Sequence, residues 1–110
     1  SNHATIINIS SVVGYKGYVN QAAYTASKHA LMGFTKVLAQ EVFNYGIRVH
    51  VIAPGGVRTE MISLARPDLE DVEMPTPADI ADVVIFLLKY RGNAVIDEIN
   101  IHRSSNSPWK

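Results

Sequence analysis

Short apolar runs alternate along the chain with longer segments of helical periodicity. The runs occupy residues 5–10, 48–53 and 94–101. In the first run the β-branched and apolar positions do not alternate cleanly with polar ones, which is typical of a strand buried in a parallel sheet. We therefore predict three short strands, one at each run.

Two helices are predicted between these strands. The first begins at residue 20 or 21 and runs to about residue 44, with Gly46 just beyond its end. It is apolar on most of its sides, so a second face must be covered by the same chain or by a partner. The second helix begins at Thr76, whose hydroxyl is followed by proline and by Asp79 at the spacing of a capping box, and it stops at Gly92.

The resulting order of elements is β-α-β-α-β, which indicates an α/β fold with right-handed crossovers and a parallel sheet. Pro54 and the two glycines after it end the second strand. The long segment from 57 to 75 that follows is typical of a lid or a binding loop. Residues 103–110 are mostly polar and predict a loose tail.

The composition argues against several classes of function. The chain has 110 residues, 47% of them hydrophobic, which is enough for one modest domain. Its net charge of zero predicts no binding of nucleic acid, and no apolar run approaches the ~18 residues of a membrane span. The absence of cysteine excludes disulfides and thiolate metal sites and fits a cytoplasmic protein. The four histidines show no metal-ligand spacing, so we predict no metal site.

Candidate chemistry begins at the start of the first helix. Tyr24 and Lys28 stand four residues apart, so their side chains project from one helix face, one turn apart. A lone tyrosine hydroxyl exchanges protons poorly at neutral pH, but a neighbouring ammonium favours the phenolate. A hydroxyl from Ser10 or Ser11, arriving from the preceding strand, can hold a carbonyl oxygen. Hydroxyl, phenol and ammonium around one oxygen suit reduction of a carbonyl or oxidation of an alcohol.

Three motifs extend this pattern: Asn-Ile-Ser-Ser-Val-Val-Gly at residues 8–14, Tyr-Thr-Ala-Ser-Lys at residues 24–28, and Pro54-Gly55-x-Val57-x-Thr59. In this order and spacing they resemble the second half of a short-chain dehydrogenase/reductase, over nearly the whole chain. The resemblance implies a three-layer, Rossmann-type parallel sheet. Residues 1–110 would then form the incomplete, C-terminal half of one oxidoreductase domain.

The resemblance also implies roles for single residues. Tyr24 is expected to be the general acid/base, assisted by Lys28, which also hydrogen-bonds the nicotinamide ribose. Ser11, thirteen residues before Tyr24, is expected to be the catalytic serine and to contact the substrate. Ser10 is expected to bond backbone instead. Tyr18 is a candidate for the substrate pocket, with packing of its own loop as the open alternative.

The cofactor implied by the resemblance is NAD(P), held at its nicotinamide end. The turn at Pro54 and Gly55 lets backbone approach the cofactor closely. The backbone of Val57 is expected to hold the carboxamide, and the Thr59 hydroxyl to assist there or at the pyrophosphate. Many family members carry a glycine pair after the third strand, where residues 97–102 differ. This departure resembles a branch that acts on small hydroxy acids, hydroxy amino acids and carbonyls, mostly with NADP.

One expected motif does not occur in the sequence. A dinucleotide fold needs a glycine-rich turn between its first strand and first helix, which admits the pyrophosphate at a helix N-terminus. The residue that selects NAD or NADP, and the family's catalytic asparagine, belong to that same half of the fold. We therefore expect the chain to be the second half of a longer enzyme and to be inactive alone.

The expected activity of the whole enzyme is NAD(P)-dependent hydride transfer to or from a small carbonyl or alcohol substrate. Two alternatives stay open. One is a non-catalytic member that binds a dinucleotide or acts as a scaffold, and the other is an epimerase or dehydratase that uses the same Tyr24 and Lys28 pair. The broad apolar surface of helix 21–44, which in the family packs against its own copy, predicts a homo-oligomer, either a dimer or a tetramer.

Overall fold

The structure is a computed structural model that describes residues 4–11, 22–55 and 75–104. Three strands form one parallel sheet, with the order β1-β2-β3. The regular elements, in chain order, are β1 (Thr5–Ile9), α1 (Ala22–Glu41), a 3-10 helix (Phe43–Tyr45), β2 (Arg48–Pro54), α2 (Pro77–Lys89) and β3 (Glu98–Ile101). The predicted α/β class, with strands and helices alternating, is confirmed.

The central strand β2 holds most of the core. It pairs with β1 on one side and with β3 on the other, and every residue after Arg48 is buried. Ile52 is fully buried, with 0% of its surface exposed, and it lies opposite Ile9 in the register with β1. A strand buried in this way needs a nearly continuous apolar sequence, which explains the run that predicted it.

Helix α1 covers one face of the sheet. Alternate residues of a strand point to opposite faces. Val49 and Val51 line a groove of about 320 Å³ together with Met32 and Thr35 of α1, so these residues of β2 point toward the helix. Met32 and Thr35 are the buried residues of α1.

The end of α1 differs from the prediction. The α-helix stops at Glu41 rather than near residue 44, because the chain tightens into the 3-10 helix Phe43–Tyr45. Gly46 closes this turn with a left-handed backbone (φ 72°), and its N–H donates to the Phe43 carbonyl. Glycine adopts this conformation without strain, which is why it ends the helical segment here.

Strand β3 is shorter than the predicted run from residue 94. Two side chains of β2 hold the chain before it: Arg48 Nη2 donates to the Gly92 carbonyl at 2.7 Å, and His50 Nδ1 donates to the Ile96 carbonyl at 2.6 Å. Backbone pairing begins only where Val51 N donates to the Asp97 carbonyl. Before Asp97, these two contacts of the chain with β2 are therefore made by side chains of β2 rather than by its backbone.

The start of α2 matches the prediction in full. Thr76 is the N-cap, Pro77 is the first helical residue, and Thr76 and Asp79 form a reciprocal capping box. Asp79 N donates to Thr76 Oγ1 at 3.2 Å, and Thr76 N donates to Asp79 Oδ2 at 2.8 Å. The helix ends at Lys89, ahead of Gly92.

Two predicted segments fall largely outside the described residues. These are the binding loop at 57–75, of which only residue 75 is described, and the tail at 103–110, of which only the first two residues are described. Neither described helix combines the length and the hydropathy that a membrane span requires.

Candidate functional site

The candidate site lies at the carboxyl edge of the sheet. Helix α1 connects the end of β1 to the start of β2, and these two strands are parallel. It must therefore run against the strand direction, with its first turns at the edge where β1 and β2 end. Tyr24 and Lys28 are on those first turns, Ser11 follows β1, and Pro54 with Gly55 ends β2. Topology thus brings the predicted residues to one edge, where ligands bind in open α/β sheets.

Tyr24 and Lys28 make a direct contact. The Lys28 Nζ lies over the Tyr24 ring, 5.6 Å from its centroid. Tyr24 is 49% exposed and Lys28 is half-buried. An ammonium over an aromatic face at this distance is a cation–π contact, so the two side chains share one helix face as the spacing predicted.

Two neighbouring side chains hold the backbone of this helical turn. The Ser27 hydroxyl donates to the Tyr24 carbonyl at 2.7 Å. His29 Nδ1 donates to the Thr25 carbonyl at 2.9 Å. Both contacts are local, three and four residues back along the helix, and they restrict the carbonyls near Tyr24 and Lys28.

The two serines differ in their surroundings. Ser10 N donates to the Ile52 carbonyl at 2.7 Å, which extends the ladder beyond β1. The Ser10 side chain is buried, but its Oγ has no hydrogen-bond partner within the described part of the chain. Within the described residues, Ser10 therefore bonds backbone through its own N–H, and its hydroxyl takes no part in that contact. Ser11 is half-buried at the edge itself.

The turn after β2 is closely packed. Pro54 belongs to the strand, one residue beyond its predicted end, because it pairs with Ile101 of β3. Gly55 N then donates to the Ile101 carbonyl at 2.7 Å. A Cβ on Gly55 would lie 3.3 Å from that same oxygen, so glycine allows the close approach of the two backbones. The other predicted residues of this region, Val57 and Thr59, lie outside the described residues, as does Tyr18.

The donors at this edge fit the nicotinamide end of a dinucleotide. A tyrosine hydroxyl and a lysine ammonium are both suited to the hydroxyls of a ribose, since each donates hydrogen bonds. The turn at Gly55 adds exposed backbone at the same edge. By contrast, no group of three or more acidic or histidine side chains gathers within residues 4–11, 22–55 and 75–104 as a metal site would require.

One contact between β1 and α1 was not predicted from the sequence. Asn8 Nδ2 donates to Thr35 Oγ1 at 2.8 Å, across 27 positions of sequence. The sequence did contain a signal for this contact, since Asn8 is a polar amide inside an apolar strand and Thr35 is a hydroxyl on an otherwise apolar side of a helix. Sequence periodicity does not reveal that two such residues meet.

Comparison with known proteins identifies the family of this arrangement. A family model described as short chain dehydrogenase matches residues 1–70. Over 90 residues the chain is 44% identical to carbonyl reductase family member 4 of Xenopus laevis, covering 77% of this chain and 38% of that protein. Over 101 residues it is 43% identical to acetoacetyl-CoA reductase of an Acinetobacter strain, covering 84% of this chain and 41% of that protein. The chain thus spans about two fifths of these curated relatives.

Solved structures of similar fold include complexes with nicotinamide cofactors. A 4-hydroxyisoleucine dehydrogenase complexed with NADH superposes with a TM-score of 0.75 at 34% identity, over 92% of this chain and 45% of that one. ElxO with NADP bound superposes with a TM-score of 0.73 at 30% identity, over 89% of this chain and 44% of that one. The Rossmann-type architecture expected from the motifs is confirmed by these neighbours.

Proposed function

Because the chain belongs to the short-chain dehydrogenase family, we propose that it supplies the proton-transfer half of an NAD(P)-dependent oxidoreductase acting on a carbonyl or an alcohol. In this proposal residues 1–110 form the C-terminal half of one Rossmann-type domain within a longer protein, the full-length protein. The chain alone is inactive, because its sequence lacks the glycine-rich turn that holds a pyrophosphate.

The observation that most supports this function is the contact between Tyr24 and Lys28. A carbonyl oxygen that gains a hydride develops negative charge and needs a proton, and the Tyr24 hydroxyl supplies it. In the reverse direction the same oxygen of Tyr24 accepts the proton of the alcohol. The ammonium of Lys28, 5.6 Å from the ring centroid, holds a positive charge and three hydrogen-bond donors beside the residue that exchanges the proton.

Ser11 orients the substrate in this scheme. Its hydroxyl donates to the reacting oxygen from the side of β1, while Tyr24 approaches from α1. Two donors from different elements fix the oxygen in one position, and such positioning lowers the barrier by restricting motion before reaction. Tyr18 contributes to the substrate pocket.

The cofactor is NAD(P), with a preference for NADP. When bound, its nicotinamide supplies or accepts the hydride. Lys28 and Tyr24 hold the adjoining ribose, and the turn from Pro54 through Gly55 to Val57 and Thr59 holds the carboxamide. The position of the exposed Gly55 at the carboxyl edge of the sheet supports this assignment.

The names of the relatives support the reaction type rather than one substrate. A carbonyl reductase and an acetoacetyl-CoA reductase are named for carbonyl compounds, and a 4-hydroxyisoleucine dehydrogenase is named for an alcohol. The two kinds of name describe opposite directions of one conversion. The substrate is therefore a small carbonyl or alcohol compound.

The full-length protein is proposed to be a cytoplasmic homo-oligomer that associates through helix 21–44. The outer side of this helix carries large apolar residues in contact with solvent, since Phe34 is 60% and Val37 is 57% exposed. Ala22, Ala26 and Ala30 extend the same side with small residues that permit close helix contact. Exposed apolar surface of this kind marks an interface. The absence of cysteine is compatible with the proposed cytoplasmic location.

Substitution of Tyr24 tests the function. In the full-length protein, Tyr24→Phe removes only the hydroxyl, and we expect turnover to fall by about 10²- to 10⁴-fold with folding intact. Tyr45→Phe is the matched control, because Tyr45 is 69% exposed and lies beyond the other end of α1. Activity of Tyr24→Phe within a few fold of the unmodified protein would refute the assignment. Turnover without net change in nicotinamide absorbance would indicate an epimerase or dehydratase instead.

A further inference from the structure

Asn8 and Thr35 join the two elements that carry the proposed chemistry. Asn8 is on β1, three residues before Ser11, and Thr35 is on α1, seven residues after Lys28. Thr35 is 5% exposed, and its Oγ1 lies 2.8 Å from Asn8 Nδ2. No other side-chain hydrogen bond between β1 and α1 is seen among the described residues.

The directions of these hydrogen bonds are fixed by chemistry. Thr35 Oγ1 lies 2.7 Å from the Leu31 carbonyl, which can only accept, so the threonine hydroxyl donates there. The lone pairs of Oγ1 therefore accept from the amide N–H of Asn8. The Thr35 hydroxyl thus links the helix backbone to the strand: it accepts a hydrogen bond from Asn8 and donates one to the Leu31 carbonyl.

The position of Thr35 on the helix matters for the site. An α-helix has 3.6 residues per turn, so Lys28 and Thr35 are about two turns apart and Tyr24 is about three turns from Thr35. All three lie close to one helix face. A rotation or a slide of α1 that breaks the bond at Thr35 moves Tyr24 and Lys28 by a similar amount relative to β1.

Apolar packing alone does not prevent such a movement. Met32 meets Val49 and Val51 across the groove, but hydrophobic contact is non-directional and tolerates small shifts. A hydrogen bond between two part-buried groups has a narrow range of distance and angle. Breaking it leaves a half-buried amide without its partner, which is costly.

We propose that Asn8 and Thr35 are positioning residues, whose hydrogen bond sets the rotation and axial position of α1 on β1 and hence the distance from Ser11 to the Tyr24 hydroxyl. This inference rests on the proposed function. Neither residue is at the carboxyl edge, so neither touches substrate or cofactor. Their effect reaches the site only through the rigid helix and strand.

The test uses kinetics of the full-length protein. Thr35→Val keeps the shape of the side chain but removes the bridging hydroxyl, and Thr35→Ser keeps the hydroxyl. A displacement of about 1 Å at a catalytic group costs up to ~10²-fold in rate. We expect Thr35→Val to lower kcat by about 10- to 100-fold and to raise the KM of the cofactor by a smaller factor, because Tyr24 and Lys28 also hold the ribose, and we expect Thr35→Ser to restore most of kcat.

A second substitution separates positioning from general stability. Asn8→Ala removes the same hydrogen bond from the strand side, and the Thr35 hydroxyl keeps its bond to the Leu31 carbonyl. It therefore tests the inference even if Thr35→Val fails to fold. If one bond is responsible, the double variant loses no more kcat than the worse single variant. Amide hydrogen exchange in the first turns of α1 should also quicken in both single variants, independently of activity.

Two results would overturn the inference. One is an unchanged kcat in both Thr35→Val and Asn8→Ala below their melting temperatures. The other is a loss in Thr35→Val that Thr35→Ser fails to restore. Tyr24→Phe, measured under the same conditions, separates the positioning role from the proposed function. If Tyr24→Phe is inactive while the Asn8 and Thr35 variants are fully active, only the positioning role fails.

Discussion

Ile9 and Ile52 offer a direct test of which surfaces this chain leaves for the rest of the protein to cover. The two residues face each other in the register of β1 and β2 and point to the same side of the sheet. Ile52 is 0% exposed, whereas Ile9 is 45% exposed. Truncating each to alanine removes the same three carbons from the same kind of strand, so differences in strand propensity largely cancel.

The expected magnitudes follow from burial. Three carbons at ~0.8 kcal/mol each give about 2.4 kcal/mol for complete burial. At Ile52 a cavity term adds to this, so Ile52→Ala should cost about 3–5 kcal/mol. At Ile9 just over half of the side chain is covered and no closed cavity forms, so Ile9→Ala should cost ~1.3 kcal/mol in the isolated chain. In the full-length protein, where we propose that further structure covers this face, the cost at Ile9 should rise to about 2–4 kcal/mol.

Urea denaturation followed by circular dichroism measures both free energies of unfolding, in the isolated chain and in the full-length protein. Ile52→Ala serves as the internal reference, because its cost should be similar in the two proteins. Equal costs at Ile9 and Ile52 in the isolated chain would refute the assignment of β2 as the centre of the core. A cost at Ile9 that stays near ~1.3 kcal/mol in the full-length protein would show that nothing further covers this face.

Two further predictions concern the isolated chain. Calorimetric titration should detect no micromolar binding of NAD(P), because the sequence lacks a phosphate-binding turn; micromolar binding would require another anion site within it. Light scattering at ~100 μM should show a two-fold dimer or a larger assembly, since large apolar side chains on one side of α1 are exposed to solvent. Phe34→Ser together with Val37→Ser should shift this assembly toward monomer, with the solvent-facing substitution Lys36→Ser as the control. A monodisperse monomer before substitution would contradict the second prediction.

Local signals in the sequence predicted much of the fold. The capping box depends only on Thr76 and Asp79, which are three residues apart in the sequence, and the structure contains both of its hydrogen bonds. Gly46 likewise marks a left-handed turn that only nearby backbone determines. Strand β2 was predicted to within one residue, because a strand buried on both faces needs a nearly continuous apolar run.

Boundaries set by distant contacts could not be predicted in the same way. The run from residue 94 has strand propensity, yet β3 begins at Glu98, and the Gly92 and Ile96 carbonyls before it bind the side chains of Arg48 and His50. Those contacts join residues more than forty positions apart. The bond of Asn8 to Thr35 is of the same kind. Hydrophobic periodicity reports which face of an element is buried, but not which polar side chains meet across it.

In the candidate site, too, some features were predictable from nearby residues and others depended on residues far apart in the sequence. The spacing of Tyr24 and Lys28 predicted a shared helix face, and their contact agrees with it. Bringing Ser11 and Gly55 to that edge required the parallel pairing of β1, β2 and β3, which the alternation of strands and helices indicated. The roles assigned to Tyr18, Val57 and Thr59 stay predictions, because these residues lie outside the described part of the chain.

The contacts described here divide the proposed enzyme into parts with different tasks. Among the described residues, three contacts involve the helix turn of Tyr24 and Lys28 or join its helix to β1: Ser27 on the Tyr24 carbonyl, Lys28 over the ring, and Asn8 on Thr35. If the proposed function is correct, these contacts in one strand and one helix help to fix the geometry of proton transfer. The sequence lacks the glycine-rich turn that binds the pyrophosphate, and the residue that selects NAD or NADP is expected in the other half of the fold. It follows that substitutions within β1 and α1 should act mainly on kcat, whereas cofactor preference should respond to changes elsewhere in the full-length protein.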